Sequence, residues 1–295
     1  MKPAPFTYHR AQSVQHAVEL LGRRCGARVI AGGQSLIPRL NARLDRPTDL
    51  VDITGIPGLD QIRRLADGHL SVGAAVRHSA LGEANGTAIP RLLSSAVMLV
   101  GSVAIRSLGT PVGSIAFADP TAEIPAVLRL LGGRLHLASP RGVRSISARS
   151  YLETPPADRL AQDEIITQVD FQLPRRHSGT AITEVAQRHG DRALAGAAAS
   201  VQIAPDGRLA EVHLCLWSTT PQPLLLDLTR LFQGHRPQEA NWGEAILALA
   251  VDLEPPAMAN ASASYRRHLA VVAGERALTS AARRARPAAA KKGLL

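Results

Sequence analysis

The chain has 295 residues, 45% hydrophobic content and a formal net charge of +10. That length is enough to bury a core in two or three small domains, and no run approaches the ~18 uninterrupted apolar residues of a membrane helix. Aromatics are only 3% and the arginines are scattered rather than striped, so the charge reads as solvated surface and not as a nucleic-acid footprint. Two cysteines, Cys25 and Cys215, stand far apart without thiolates or imidazoles at ligand spacing. No metal or cluster site is therefore expected in this chain, and both read as small buried residues. The segment MKPAPFTYHR lacks the apolar core of a signal peptide, and a cytoplasmic protein is expected.

Residues 13–22 predict a helix, with Ser13 as cap, Val14, Ala17, Val18 and Leu21 as apolar stripe, and Gly22 as stop. ARVIAGG (27–33) predicts a strand ending in a turn. LIPRLNARL (36–44) predicts a second helix, capped by Ser35, with Leu36, Leu40 and Leu44 on one face and Pro38 in the first turn. DLVDIT and HLSVGAAV (69–76) read as strands, and 90–109 as helix interrupted by Gly101. A helix closed by Gly132-Gly133 follows, then a hairpin turning at Pro140-Arg141-Gly142 and a strand at 165–174 ended by proline. RRHSG (175–179) reads as a linker. Beyond it, three strands with a tight turn at Asp206-Gly207 predict an antiparallel meander, followed by helices near 237–250 and 263–284. Arg283-Arg284-Ala-Arg286 to Lys291-Lys292 reads as a disordered basic tail, with docking to an acidic partner as the alternative.

Two short stretches carry the chemistry. In Ala31-Gly32-Gly33-Gln34-Ser35, glycines between a strand and a helix start can turn successive N–H groups into a concave nest that suits a phosphate. No Gly-Lys-Ser/Thr follows, so it is not a P-loop, and it is not a GxGxxG fingerprint. A purely structural turn is the alternative. The second stretch, Gly109-Thr-Pro-Val-Gly-Ser114, is again a small-residue turn, with Thr110 and Ser114 as hydroxyl donors. Asp119 and Glu123 lie just beyond it; a carboxylate there can accept from sugar hydroxyls, although Asp119-Pro120 also reads as a helix opening. Two uncharged, amide-rich turns in one chain can hold a long dinucleotide from both sides. His78, His177 and His189 show no metal spacing, and a satisfied or solvent-facing role is expected for each. Tyr265-Arg-Arg-His-Leu reads as a packing and surface helix, with an interface role as the alternative.

AGGQSLIPRLNARLDRPTDLVDI (31–53) and IRSLGTPVGSIAFADPTAEIPAVL (105–128) resemble the two FAD-binding segments of the flavoprotein subunits of molybdenum hydroxylases. That family includes the medium subunit of carbon monoxide dehydrogenase and the FAD part of xanthine dehydrogenase. EVAQRHGDRALAGAA (184–198) and ASYRRHLAVVAGERAL (263–278) resemble the start and last helix of the family's C-terminal domain. The resemblance implies an α+β fold: a two-lobed FAD-binding domain of the vanillyl-alcohol-oxidase/PCMH type over 1–56 and 57–175, then a C-terminal domain over 178–284 with a three-stranded antiparallel sheet and helices, and a tail over 285–295. It further implies that Ala31, Gly32, Gly33, Gln34, Ser35 and Leu36, with Thr110, Gly113 and Ser114, wrap the FAD diphosphate and ribityl chain. Glu123 would hold cofactor hydroxyls, Ile166 would contact the cofactor through its backbone, and Asp191 would lie beside the isoalloxazine ring.

Two departures stand out. Val112 replaces a family glycine, and Arg192 stands where relatives carry an aromatic or apolar residue. An arginine there either stabilises reduced, anionic flavin or points to solvent. The function implied is an FAD-carrying relay in a dimer of heterotrimers. A small subunit with [2Fe–2S] clusters would deliver electrons, a large molybdopterin subunit would oxidise the substrate, and an external acceptor would remove the electrons. No general acid or base is expected in this chain. A stand-alone FAD oxidoreductase and a non-flavin binding or assembly module are the alternatives.

Overall fold

The computed structural model describes residues 2–82 and 89–285. Arg286, Lys291 and Lys292 of the basic tail lie outside the described residues. In chain order the first elements are β1 (Thr7–Arg10), α1 (Val14–Arg23), β2 (Arg28–Ile30), α2 (Leu36–Asn41), β3 (Asp49–Asp52), β4 (Ile62–Arg64), β5 (His69–Gly73) and α3 (His78–Gly82). Then come α4 (Arg91–Leu99), α5 (Val103–Leu108), α6 (Pro111–Phe117), α7 (Glu123–Leu131), β6 (Arg134–Ser139), β7 (Gly142–Ser147), α8 (Ala148–Glu153) and β8 (Ile165–Gln172). The last are β9 (Ser178–Val185), β10 (Ala195–Ile203), β11 (Leu209–Trp217), β12 (Leu224–Asp227), α9 (Thr229–Phe232), α10 (Trp242–Ala250) and α11 (Ala263–Ala285). Contacts divide the chain into two units. The first comprises Met1–Ile89, Val100–Asp119 and Gly132–Gln172; the second comprises Pro90–Leu99, Pro120–Leu131 and Leu173–Leu295.

The first unit holds a three-stranded sheet in the order β1-β3-β2, all parallel. Central β3 is buried along its whole length, as a strand paired on both sides must be. Ser13 caps α1 by accepting from His16 N, and Ala17, Val18 and Leu21 are buried as expected. Gly22 lies inside α1 and does not end it; the positive-φ residue of the following turn is Gly26. The five-stranded sheet runs β4-β5-β8-β6-β7, antiparallel throughout. Leu135, Leu137, Val169 and Phe171 are fully buried on it, and Tyr151 of α8 is likewise 0% exposed. Buried Asp170 accepts from Arg134 Nε at 3.1 Å and pairs with His136 Nε2 at 2.7 Å.

In the second unit the meander is present and is extended by one more strand, in the order β12-β11-β10-β9. Asp206 closes the predicted turn by accepting from Arg208 N, with Gly207 at φ +83°. β10 reads AGAAASVQI because α11 comes very close: Ala270, Ala273, Ala277 and Ala281 of α11 are all fully buried. A Cβ on Gly179 would lie 2.1 Å from Ala281 O, so only glycine admits that approach. The predicted helix at 237–250 starts at Trp242, capped by Asn241 accepting from Glu244 N.

Candidate functional site

The strand-to-helix stretch from Ala31 to Leu36 joins β2 to α2. Gly33 sits at φ +71°, a conformation that L side chains resist, and its carbonyl accepts from Ile37 N at 2.9 Å. Gln34 folds back to donate from Nε2 to Gly32 O at 3.1 Å. Ser35 is already helical and makes no side-chain cap, so the predicted cap is absent; Leu40 is buried, whereas Leu44 is 67% exposed. Among the described residues, the N–H groups of Gly33, Gln34 and Ser35 find no hydrogen-bond partner. They are uncharged donors left for something else.

The second stretch meets the first main chain to main chain. A Cβ on Gly32 would lie 2.5 Å from Leu108 O and 2.6 Å from Gly109 Cα. Gly109 is confined less tightly, its missing Cβ facing Ile105 O at 2.9 Å, His78 Cδ2 at 3.0 Å and Gln34 Cγ at 3.4 Å. Residues 110–114 are a helix start rather than the predicted turn. Thr110 caps α6 by accepting from Gly113 N at 3.0 Å, with Pro111 at the first helical position, where a missing N–H costs nothing. A Cβ on Gly113 would press on Thr110 Oγ1 at 2.7 Å, which is why this glycine is needed. Val112 is 2% exposed, so its side chain lies inside the fold.

His78, expected to be satisfied or solvent-facing, is neither. It is 3% exposed, its N–H donates to Gly109 O at 3.0 Å, and Nδ1 has no partner. Burial, helped by Arg106, pushes its imidazole down to about 4, so it is neutral at pH 7. No period or motif marks position 78, whose ring lies against Gly109, distant in sequence. His177 and His189 are exposed. Ile166 lies on β8 opposite Leu137, beside an irregularity in the register between His136 and Leu137.

Glu123, Asp191 and Arg192 belong to the second unit. Glu123 opens α7 and is 7% exposed. Asp119-Pro120 does not open a helix; the turn there delays α7 by a few residues. Beside Glu123 lies Glu184 of β9, which inspection of the sequence passed over. Burial and the adjoining Glu123 carboxyl push Glu184 up to about 9, so it is protonated at pH 7. Its Oε2 has no partner, and neither does Nε1 of the fully buried Trp217. β9 and β10 pair Glu184 with Gly196, and β10 and β11 pair Gly196 with Trp217, so the three form one row. The indole lies against Gly196, where a Cβ would be 2.1 Å from the ring. Asp191 and Arg192 follow the turn at Gly190 and are exposed. They line a cleft of about 280 Å³ with Gln187, Leu194, Met258 and Asn260. Cys215 is buried as expected, but Cys25 is exposed, in the turn after α1. No group of three or more His, Cys, Asp or Glu that could hold a metal occurs among the described residues.

The described residues thus form an α+β chain whose first unit brings two glycine-containing stretches together, main chain to main chain. The chain belongs to the molybdenum hydroxylase flavoprotein family. Residues 4–175 match the FAD binding domain in molybdopterin dehydrogenase, and residues 180–281 match the CO dehydrogenase flavoprotein C-terminal domain. The chain is 36% identical to the 6-hydroxypseudooxynicotine dehydrogenase complex subunit alpha of Paenarthrobacter nicotinovorans, over 97% of this chain and 98% of that one. It is 31% identical to the carbon monoxide dehydrogenase medium chain of Afipia carboxidovorans, over 97% and 100%. Its fold matches a chain of quinoline 2-oxidoreductase from Pseudomonas putida 86 with a TM-score of 0.90 and 32% identity, over 97% and 99%. It is an FAD-binding oxidoreductase subunit, and no helix among its described residues is long and apolar enough to cross a membrane.

Proposed function

We propose that this chain is the electron-transfer subunit of a heterotrimeric molybdenum hydroxylase. It would accept electrons from [2Fe–2S] clusters on a small subunit, while a large molybdopterin subunit oxidises the substrate. A dimer of heterotrimers in the cytoplasm, discharging to an external acceptor, belongs to the same reading. Flavin, when bound, supplies the redox chemistry; the chain supplies position and electrostatics. The observation that carries the reading is the backbone-to-backbone contact of Gly32 with Leu108 and Gly109, beside which the amides of residues 33–35 are left unpaired.

In this reading Ala31 to Leu36 grip the diphosphate through N–H groups, and Thr110, Gly113 and Ser114 serve the neighbouring part of the cofactor. Neutral His78 adds no charge beside them. Glu123 accepts from cofactor hydroxyls, Ile166 offers its backbone, and Asp191 and Arg192 stand by the isoalloxazine ring. The domain limits at 56 and 175 belong to this proposal. The test is the visible spectrum and FAD content of the purified chain, alone and with its partners. Gly33→Asp, which places a carboxylate and a Cβ in the cradle, is expected to leave the protein colourless. Full flavin occupancy in that variant would make the turn purely structural.

A further inference from the structure

Arg266 lies in the first turn of α11, in the stretch expected to be a packing and surface helix, and it is 1% exposed. Among the described residues no carboxylate forms an ion pair with it. Nε donates to Leu194 O at 2.9 Å, Nη1 to Pro256 O, and Nη2 to Ser218 O and, at 2.9 Å, to Ser218 Oγ. These acceptors come from three separate segments: the start of β10, the residue after β11, and the stretch before α11. Ser218 is held at φ +67°, which a serine rarely adopts, and its Oγ donates onward to Ala193 O. Neighbouring Arg267 adds a bond from Nε to Leu253 O at 2.7 Å.

A buried guanidinium is costly unless every N–H is used. α11 is otherwise built of alanine and leucine against the sheet, and an apolar residue would pack there without that cost. What only a planar fork achieves is to bind carbonyls lying in different directions. Two of those carbonyls belong to the chain segments that line the cleft described above: Leu194 lines it at the end of the loop carrying Asp191 and Arg192, and Pro256 lies two residues before Met258, which lines it with Asn260.

We propose that Arg266 is a positioning residue that clamps the two walls of this cleft, fixing the Asp191–Arg192 loop. The proposal rests on the reading in which that loop stands beside the flavin. The test is amide hydrogen exchange and flavin potentiometry on the full, FAD-loaded chain, comparing wild type with Arg266→Lys. Lysine keeps the charge but cannot span the three segments. Amides of 187–194 and 257–260 are expected to exchange at least tenfold faster, while those of β10 and the middle of α11 keep wild-type rates. The midpoint potential is expected to shift with FAD content unchanged.

A uniform acceleration across the second unit, unchanged exchange at 187–194, or an unchanged potential would overturn the proposal. Should Arg266→Lys not fold, Ser218→Ala, which removes one acceptor, must loosen the same two segments, and wild-type rates there would overturn it equally. A wild-type chain without flavin absorbance would instead sink the FAD reading, and the exchange pattern would still decide the clamp.

Discussion

The two units hold their key loops in opposite ways. In the first, the loops at Gly32 and Gly109 are fixed by the absence of side chains, backbone resting on backbone. In the second, the segments around Leu194, Ser218 and Pro256 are gathered by one long side chain, Arg266. A contact made by missing atoms leaves no slack, whereas a clamp made by one side chain can be loosened by degrees. The first arrangement suits a rigid grip on a diphosphate. The second suits a loop whose polar residues tune what lies beside them.

The sharpest way to break this contrast is Gly32→Ala. Its methyl would sit 2.5 Å from Leu108 O, against backbone that cannot swing away. Loss of FAD is expected, with destabilisation on the order of 3 kcal/mol, read as flavin content and as a lowered midpoint in thermal unfolding. Wild-type stability and full flavin content would show that the two loops move apart freely.

The units also differ in the pH limb on which they weaken. In the first, His78 is neutral when folded, lowered from about 6.5 to about 4. The unfolded chain therefore takes up that proton first as pH falls, and this stability is complete above pH 6.5 and lost towards pH 4. Asp170 acts in the same sense: burial opposes its ionisation, but bonds from His136 and Arg134 outweigh burial and keep it below the usual carboxylate range. In the second unit the sign reverses. Glu184 is raised from about 4.5 to about 9, so its contribution is complete below pH 4.5 and is lost as pH rises through 9. Glu184→Gln, which mimics the protonated form, is expected to flatten the alkaline loss while leaving the acid limb unchanged. Parallel curves for wild type and variant between pH 6 and ~10, in thermal unfolding, would contradict this.

The smallest expected effect is that of Arg192→Ala. A cation beside the ring favours reduced, anionic flavin, so its removal is expected to lower the midpoint potential by about 30 mV, or about 1.4 kcal/mol for a two-electron couple. An unchanged potential would assign Arg192 to the surface.

Local signals carried much of this arrangement. The amphipathic stripe of α1, the turn at Asp206-Gly207 and the glycine-rich stretches read directly from residue type, because each depends on neighbours in sequence. What stayed illegible depends on contacts between distant segments. The need for glycine at 32 arises from Leu108, and the ring of His78 lies against Gly109. The neutrality of Glu184 arises from its burial and from Glu123, and the inward turn of Arg266 from three segments that the fold brings together. Ser35 looked like a cap because serine commonly is one; the positive φ of Gly33 starts the helix without it.

The most direct test of the central claim is the FAD content of the purified full chain, measured by visible absorbance alongside that of Gly32→Ala. The account predicts one flavin per wild-type chain and none in the folded variant. A colourless wild type, even when isolated with its partner subunits, or a variant that keeps its flavin, would contradict it.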